Sequence, residues 1–458
     1  MQSISEDDLS HRLVCDNPWW DLSSGSETKL ETPFKRDLFS PFFRSIQKLG
    51  HGEDLILAGC LGVGKTVMLR QAIAGLIDEG ASPTSVLYCC LGSPVLGSVD
   101  LNRLLEIFMT RYRHAPETEV YLFLDEIQYN RDWQDNVRAW ARAWPKARFI
   151  GAASSGAPAF ATGPSTFVLP PSTFSEFLRF RGTLDNFFGK SQPGSALVLQ
   201  PGTIGALNEE FCRYVNGGGF LGDGSTENFL NNDLASLHGI SDTQELNRLF
   251  AILAKNTGLE VSLEELTKAL GVAKNTLRKY LDYLERAFLI RRLPRVDQSA
   301  NRFKRAVAFK VYVTTPCLYA ALFGPVDSES EVFARLAETA LVSQWLGSVA
   351  APTLGYASWR GGAVDLLTMD PDSDKPSHVY EIDWADAYAP EGKKVDTGPK
   401  GLSAFVAATN RNAKAYVLTR ENTRQGSLGG IDVTLVPLSL YAYWLARDPT
   451  RASAHAVN

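Results

Sequence analysis

The sequence predicts an α/β protein whose first half is built around a parallel sheet and a phosphate-binding loop. Residues 59–66 read Gly-Cys-Leu-Gly-Val-Gly-Lys-Thr, which matches the pattern G-x-x-x-x-G-K-[ST]. The apolar run 55–58 before the loop predicts a buried strand, and residues 67–73 after it predict an amphipathic helix. A second apolar run, 120–124, ends in two acidic residues. Together these features indicate a sheet that binds a phosphorylated ligand at one edge.

The residue types in this loop suit a nucleotide phosphate. Its three glycines let the backbone turn tightly, so that successive N–H groups converge on phosphate oxygens. Lys65 opens a helix and is expected to reach the β- and γ-phosphates, while Thr66 is expected to place its hydroxyl on Mg²⁺. We therefore predict a P-loop NTPase core that takes ATP and Mg²⁺ as cofactors. The residues expected to contact the nucleotide are Gly59, Cys60, Leu61, Gly62, Val63, Gly64, Lys65, Thr66 and Val67.

Polar residues at the ends of two further strands indicate hydrolysis as well as binding. Asp125 is expected to hold Mg²⁺ through its water shell, and Glu126 to act as the general base for the water that attacks the γ-phosphate. With Lys65 they form the predicted catalytic set. A third strand, 147–153, runs into Ser154 and Ser155. A polar side chain there can sense the γ-phosphate, although serines at a strand end are also ordinary turn residues.

The order of the motifs resembles that of a known family. It is similar to the prokaryotic AAA-type ATPases with an appended DUF4143 domain, which lie near the AAA+/STAND group. The resemblance covers nearly the whole chain and is most specific in the first 180 residues. The segments that carry it are Asn17 to Trp20, Asp125 to Gln128, Trp133 to Asp135, Phe149 to Ser155, Leu169 to Leu178, Tyr214 to Phe220, Thr276 to Ile290, Glu338 and Val364-Asp365.

The length of the chain and the family resemblance indicate several domains. A chain of 458 residues is too long for one core. The resemblance implies an AAA+/STAND-like P-loop core, a winged-helix domain and a C-terminal restriction-endonuclease-like α/β domain. We expect an N-terminal extension over 1–45, the P-loop ATPase domain over 46–185, a connector or helical lid over 186–245, the winged helix over 246–310, the DUF4143-like nuclease-fold domain over 311–446, and a tail over 447–458.

Residues 246–310 carry a helix-turn-helix pattern. Ser262 and Glu265 have the spacing of a capping box, and residues 270–272 make the turn. Between residues 251 and 310 there are 13 basic against 6 acidic residues, a net charge of +7 in an acidic protein. Such a basic region suits a phosphate backbone. The alternative is that this domain serves as a lid or a protein contact. The predicted nucleic-acid contacts are Lys274, Arg278 and Lys279.

The resemblance also implies a degenerate nuclease site in the C-terminal part. Nucleases of the PD-(D/E)xK type use an acidic residue at a strand end and Glu-x-Lys on the neighbouring strand. Asp365 fits the first position and Glu381 the second, but Asp383 stands where the lysine belongs. That lysine would help activate the attacking water. We predict that these three acids cluster at adjacent strand ends with no lysine between them.

Glu338 and three lysines are further candidates for the nuclease-like site. Glu338, on a preceding predicted helix, is either another metal carboxylate or a solvated helix residue. A displaced ammonium for the nuclease site could come from Lys393, Lys394 or Lys400.

The family has Gly-Arg shortly before its Leu-x-Pro-Leu-Ser-Phe segment, whereas this chain has Gly163-Pro164. Either another arginine stabilises the γ-phosphate charge or hydrolysis is slow. The arginines available in the domain are Arg138, Arg142, Arg148 and Arg179.

Composition excludes several classes of protein. The net charge of −5 gives no global reason to expect nucleic-acid binding, and no stretch of 18 apolar residues predicts a membrane span. The polar N-terminus lacks an apolar signal-peptide segment, and the cysteines show no C-x-x-C spacing. We expect a cytoplasmic protein without structural zinc or disulfides. It could form a homo-oligomer, and its partner could be DNA or another protein.

Three functions follow as hypotheses. The first is a nucleotide-driven switch that hydrolyses ATP and regulates or recruits a partner, its nuclease-like domain being inactive and used for binding. The second is an ATP-gated DNA nuclease, for example in defence. The third is a nucleotide-binding scaffold with little turnover, which Pro164 at the family's arginine position would favour.

Overall fold

The chain divides into two compact units. In the computed structural model the described residues are 4–21, 34–130, 132–154, 166–188, 199–220, 243–303, 308–346, 353–388 and 400–447. One unit extends to Leu169 and the other begins at Pro170. This division falls earlier than the ATPase boundary predicted at residue 185. None of the helices in the described ranges is both long enough and apolar enough to cross a membrane.

The first unit contains a parallel sheet with helices between its strands. The elements are α1 (Glu6–Asp16), α2 (Phe39–Lys48), β1 (Asp54–Ala58), α3 (Lys65–Asp78), β2 (Val86–Cys90), α4 (Leu101–Arg111), β3 (Val120–Asp125), α5 (Trp133–Ala143), β4 (Ala147–Ala153) and β5 (Thr166–Val168). The strands lie in the order β2-β3-β4-β1-β5, and every neighbouring pair is parallel. The predicted α/β class and parallel sheet are thus confirmed for this unit.

Parallel pairing determines where the polar strand ends meet. Because β1, β3 and β4 run in the same direction, the loop after β1, Asp125 and Ser154 all lie at the carboxyl edge of the sheet. One face of the sheet packs on α1, α4 and α5 through a core that includes Leu13, Phe108 and Trp140. These side chains are less than a tenth exposed. The core therefore supports the sheet whose carboxyl edge carries these residues.

The second unit begins with helices and a small sheet. Its elements up to residue 323 are α6 (Phe174–Phe180), α7 (Leu184–Phe187), α8 (Ile204–Gly217), α9 (Thr243–Lys255), β6 (Glu260–Ser262), α10 (Leu263–Leu270), α11 (Lys274–Arg286), β7 (Ile290–Leu293), β8 (Arg295–Val296), β9 (Ala308–Val313) and α12 (Cys317–Phe323). The predicted capping box is present, since the Ser262 hydroxyl accepts a hydrogen bond from the Glu265 N–H at 3.1 Å. Gly271, at φ 75°, ends α10 and makes the turn.

The small sheet has the antiparallel order β6-β9-β7. β8, which follows β7 after one residue, leaves this sheet and pairs with a strand of a larger one. The elements after residue 323 are α13 (Glu331–Trp345), β10 (Leu354–Trp359), β11 (Gly362–Met369), β12 (Pro376–Asp383), α14 (Lys400–Thr409), β13 (Lys414–Thr419), β14 (Arg424–Leu428), β15 (Ile431–Pro437) and α15 (Leu438–Ala446). The larger sheet has the order β14-β15-β13-β12-β11-β10-β8.

The two sheets of the second unit share one hydrophobic core. Leu293 of β7 and Tyr312 of β9 belong to the same buried cluster as Phe333 of α13, Tyr356 of β10 and Tyr380 of β12. Tyr312 has no exposed surface. The small sheet is therefore part of the second unit's core, and side chains of β9 lie next to the strands of the larger sheet.

Candidate functional site

The phosphate-binding loop is held in shape by its glycines and by main-chain contacts. A Cβ atom on Gly59 would lie 2.3 Å from the Leu169 carbonyl oxygen, so only glycine fits there. Gly64 caps α3 with φ 96°, a conformation that favours glycine. Lys65 begins α3 and is 4% exposed, and its ammonium donates hydrogen bonds to the carbonyls of Gly59 (3.0 Å) and Cys60 (2.9 Å). The loop thus places one buried cation beside the helix N-terminus.

Thr66 and Asp125 meet across the edge of the sheet. The Thr66 hydroxyl donates a 2.6 Å hydrogen bond to Asp125 Oδ2, which also accepts a 2.9 Å bond from the Tyr88 hydroxyl. Asp125 is 1% exposed, and this burial raises the pKa of its carboxyl group, although the two hydroxyl donors oppose the rise. Both predicted metal residues are therefore adjacent oxygen donors, the ligand type that Mg²⁺ prefers.

Glu126 lies in a second network beside Asp125. Its backbone has φ 54°, a left-handed conformation that costs a non-glycine residue on the order of 1 kcal/mol. The Ser154 hydroxyl donates to both carboxylate oxygens of Glu126 at 2.8 Å, and the Gln128 amide donates to Oε2. Ser154 therefore contacts the predicted base. Ser155 lies outside the described residues.

The arginines considered for charge stabilisation are not equally placed. Arg148 is near the amino end of β4, where it bonds to Glu119, Tyr121 and the Leu49 carbonyl. Arg138 acts electrostatically on Asp54, at the start of β1. Both therefore lie at the sheet edge opposite the phosphate loop. The Gly163-Pro164 pair lies outside the described residues.

Of the C-terminal carboxylates, Glu338 and Asp365 converge, and for Asp365 the prediction that no lysine lies beside it is wrong. A lysine does lie between them: the Lys310 ammonium is 3.0 Å from Glu338 Oε1 and 3.5 Å from Asp365 Oδ1, and it donates to the Asp365 carbonyl at 3.1 Å. This lysine comes from β9 of the small sheet, 55 residues before Asp365. The predicted sources of an ammonium were Lys393 and Lys394, which are outside the described residues, and Lys400, whose side chain is likewise not described.

Burial makes this cluster electrostatically tight. Glu338 is 5% exposed, so the alternative prediction that it is a solvated helix residue is wrong. The Tyr312 hydroxyl donates a hydrogen bond to its carboxylate at 2.5 Å. Burial raises the pKa of Glu338 to about 7 and that of Glu381, next to Asp365, to about 9. Burial opposes the charge of Lys310, but Glu338 and Asp365 outweigh this effect and raise the pKa of the ammonium. The cluster thus carries its own cation.

Asp383 has a different role from the other predicted acids. Its two carboxylate oxygens accept main-chain hydrogen bonds from Ala387 (2.8 Å) and Tyr388 (2.9 Å), so it stabilises the turn that follows β12. Glu381 Oε2, by contrast, is buried without a hydrogen-bond partner among the described residues. Within those residues, no three His, Cys, Asp or Glu side chains are arranged as a group that could hold a metal ion.

The predicted nucleic-acid contacts lie on the exposed face of α11. Lys274, Arg278 and Lys279 are all exposed, while Leu277 and Leu281 on the opposite face are buried. Several other basic residues of this region are instead paired with acids. These pairs are Lys268–Glu264, Arg292–Glu285, Arg295–Glu260 and Lys310–Glu338. The basic surface is therefore smaller than the net charge of the segment indicates.

Several residues that contact these sites were not predicted from the sequence. Tyr88 bonds to Asp125, Gln128 bonds to Glu126, and Lys310 pairs with Glu338. Gln128 is three residues after Asp125, and its place in the segment Asp125 to Gln128, which carries the family resemblance, was a signal. No pattern in the sequence indicates Tyr88 or Lys310, because each lies on a strand that is far from its partner along the chain.

Comparison with protein families matches two segments of the chain, one of which covers most of the phosphate-loop unit. Residues 52–178 match an AAA domain family. Residues 222–329 match a domain of unknown function, DUF8612. That match differs from the DUF4143 domain that the resemblance implied for residues 311–446, so the comparisons do not support that assignment.

Individual relatives are distant. An uncharacterized protein of Haemophilus influenzae is 24% identical over 273 residues, which are 53% of this chain and 62% of the relative. The chain therefore spans less than two thirds of that protein's length. Solved structures with some similarity include the Aeropyrum pernix ORC1 protein in complex with DNA, at 12% identity over 62% of this chain and 91% of that chain, with a TM-score of 0.30.

Two other solved structures are similar at the same level. Cdc6p from Pyrobaculum aerophilum is 13% identical, covering 70% of this chain and 98% of that chain, with a TM-score of 0.24. AMPPCP-bound DnaA from Aquifex aeolicus is 13% identical, covering 53% and 84%, with a TM-score of 0.22. Since these scores are all below 0.5, the AAA-type assignment depends on the family match over residues 52–178.

Proposed function

We propose that this chain is a Mg²⁺-dependent, AAA-type ATPase that works as a nucleotide-driven switch. The observation that carries the proposal is the meeting of Thr66, Asp125, Glu126 and Ser154 at the sheet edge beside a glycine loop with a buried lysine. The Lys65 ammonium and the N-terminus of α3 would bind the phosphates. Thr66 and Asp125 would hold Mg²⁺, which neutralises phosphate charge when bound.

The side chains around Glu126 suit hydrolysis. Glu126 would take a proton from the water that attacks the γ-phosphate. Ser154 and Gln128 donate to its carboxylate, so they orient it, and they would transmit a change at Glu126 to β4. In this proposal Ser154 is a sensor that acts through Glu126. Ser155 stays a second sensor residue on sequence grounds alone.

Glu126→Gln tests the assignment. The amide keeps the shape of the carboxylate but cannot accept a proton, so turnover should fall about 10²- to 10⁴-fold while ATP binding persists. Turnover is measured by phosphate release and binding by retention of labelled ATP. As a control, Glu106→Gln makes the same change at an exposed residue of α4 and should keep wild-type turnover. Wild-type turnover in Glu126→Gln would remove the proposed base.

We propose that the second unit uses its nuclease-like part for binding and is not a nuclease. An α-helix, an antiparallel three-strand meander, a helix and a parallel strand follow one another from α13 to β13, which supports a restriction-endonuclease-like fold. The Lys310 ammonium already compensates the negative charge of the carboxylates that would otherwise bind a metal ion. We therefore expect no DNA cleavage with Mg²⁺ or Mn²⁺. Metal-dependent cleavage that disappears in Asp365→Ala would establish the nuclease alternative.

We propose α11 as a nucleic-acid contact within this switch. The succession α9, β6, α10, α11, β7, β9 with the sheet order β6-β9-β7 supports a winged helix, in which α11 is the exposed second helix of the helix-turn-helix. Its basic face is directed to solvent. ATP turnover should rise in the presence of duplex or single-stranded DNA. Equal turnover with and without either form would favour a protein partner.

A further inference from the structure

Three residues of the N-terminal segment, Asn17, Trp19 and Trp20, hydrogen-bond to the outer edge of β2 in the first sheet. β2 is the outer strand next to β3, and no strand among the described residues pairs with its other side. The Asn17 amide group donates to the Tyr88 carbonyl at 2.8 Å, and the Asn17 side-chain oxygen accepts from the Tyr88 N–H at 2.6 Å. The indoles of Trp19 and Trp20 both donate to the Val86 carbonyl, at 3.1 and 2.8 Å. Side chains thus replace a strand.

This closure is connected to the hydrophobic core of the first unit. Asn17 is fully buried and also donates to the Leu13 carbonyl at the end of α1, at 2.7 Å. Leu13 packs in the core against α4, and the Trp20 ring is stacked on Phe108 at 5.6 Å. Besides its indole contacts with Val86, the N-terminal segment is thus connected through Asn17 to Tyr88 of β2.

Tyr88 carries that connection to the nucleotide edge. Its hydroxyl donates to Asp125 Oδ2, the same oxygen that accepts from Thr66. Its ring lies under the Arg70 guanidinium of α3 at 5.3 Å, and Tyr88 is 2% exposed. The other oxygen of Asp125 accepts from the Glu126 N–H at 3.0 Å. Both carboxylate oxygens are thus oriented, one of them by a residue that the phosphate-loop motif does not include.

We propose that Tyr88 is a positioning residue for the Asp125 carboxylate and that the Asn17 contact with β2 makes the N-terminal segment part of the metal–nucleotide site. This inference rests on the proposed function and names the residues that adjust its metal affinity. Fixing the backbone of Tyr88 at both its N–H and its carbonyl fixes where its hydroxyl lies. Asp125 then needs no rearrangement to face a cation beside Thr66.

The test separates metal binding from nucleotide binding. Tyr88→Phe removes one hydroxyl and keeps the ring, so it should fold. With a saturating non-hydrolysable ATP analogue, Mn²⁺ affinity measured by electron paramagnetic resonance should weaken about tenfold, which corresponds to about 1.4 kcal/mol. Affinity for a fluorescent ATP analogue in EDTA should stay within about twofold. A purely structural role would weaken both affinities together or neither.

A matched control is Tyr121→Phe. Tyr121 lies on β3, and its hydroxyl donates to Glu119 and accepts from Arg148 at the opposite end of the sheet. This variant should leave Mn²⁺ affinity unchanged. Asn17→Ala should weaken Mn²⁺ binding in the same direction as Tyr88→Phe, and the two changes should not be additive because they act on one element.

Each result decides a separate point. Unchanged Mn²⁺ affinity in Tyr88→Phe overturns the role of Tyr88, and unchanged affinity in Asn17→Ala overturns the N-terminal connection. Equal losses of metal and metal-free nucleotide affinity overturn the positioning role as well. A wild-type protein that binds neither the analogue nor Mn²⁺ overturns the proposed function itself.

Discussion

Two clusters of carboxylates among the described residues differ in the groups that contact them. At the edge of the first sheet, Asp125 and Glu126 accept hydrogen bonds mainly from neutral donors: the hydroxyls of Thr66, Tyr88 and Ser154. In the second unit, the positively charged Lys310 ammonium contacts the carboxylates of Glu338 and Asp365. Neutral donors orient a carboxylate without cancelling its charge, whereas an ammonium cancels it. The first group is suited to an external cation, and the second already has an internal one.

The largest expected effect concerns the first group. Lys65→Ala should abolish measurable ATP binding and turnover, because it removes the side-chain cation of the phosphate loop. Binding is measured with a fluorescent ATP analogue and turnover by phosphate release. Lys48→Ala, which removes an exposed lysine at the end of α2, is the control and should behave as wild type. ATP turnover by the Lys65→Ala protein would separate this loop from the activity.

The second prediction concerns the internal cation. Lys310→Met keeps the aliphatic length but leaves Glu338 and Asp365 without their partner. Breaking a buried ion pair in this way costs about 3–5 kcal/mol of the free energy of unfolding. The exposed pair Lys268–Glu264 offers the control, since Lys268→Met should leave the free energy of unfolding nearly unchanged. Chemical denaturation measures both, and equal losses would mean that Lys310 does not stabilise the cluster.

The third prediction uses the raised pKa of Glu381, about 9 in the folded protein against an ordinary 4.5. The folded state then keeps a proton that the unfolded chain releases, so stability falls as pH rises from about 4.5 to 9. Glu381→Gln should flatten the dependence of the unfolding free energy on pH between 7 and 9. Glu264→Gln changes an exposed carboxyl whose pKa is lowered by Lys268, and the slope in that range should persist. An unchanged slope in Glu381→Gln would contradict the assignment.

The smallest effect is expected on the exposed face of α11. Replacing Lys274, Arg278 and Lys279 by Ala should lower the dependence of DNA binding on salt by up to about three units of slope. A second triple variant, Arg44→Ala, Lys48→Ala and Arg103→Ala, removes three exposed positive charges elsewhere and should leave the slope as it is. Fluorescence anisotropy at several salt concentrations distinguishes them. Identical slopes in both variants would make α11 a lid or a protein contact.

Much of the first unit could be predicted because its signals are local. The loop pattern, the apolar runs beside it and the acidic strand end each occupy a few consecutive residues. Parallel pairing then brings Thr66 and Asp125 to one edge, as the pattern implies. The capping box at Ser262 is likewise a four-residue signal, and it is present. Local hydrogen bonding and side-chain periodicity thus determine these features.

The partners of the carboxylates depended on tertiary structure. Lys310 reaches Asp365 because β9 packs against the larger sheet, and a charge count over residues 251–310 assigns this lysine to a basic surface instead. Tyr88 reaches Asp125 across two adjacent strands, and Asn17 reaches Tyr88 from 71 residues away. The sequence by itself determined which residues carry charge and where the phosphate loop lies. Packing alone decided which charges meet, because pairing between distant strands leaves no periodic pattern in the chain.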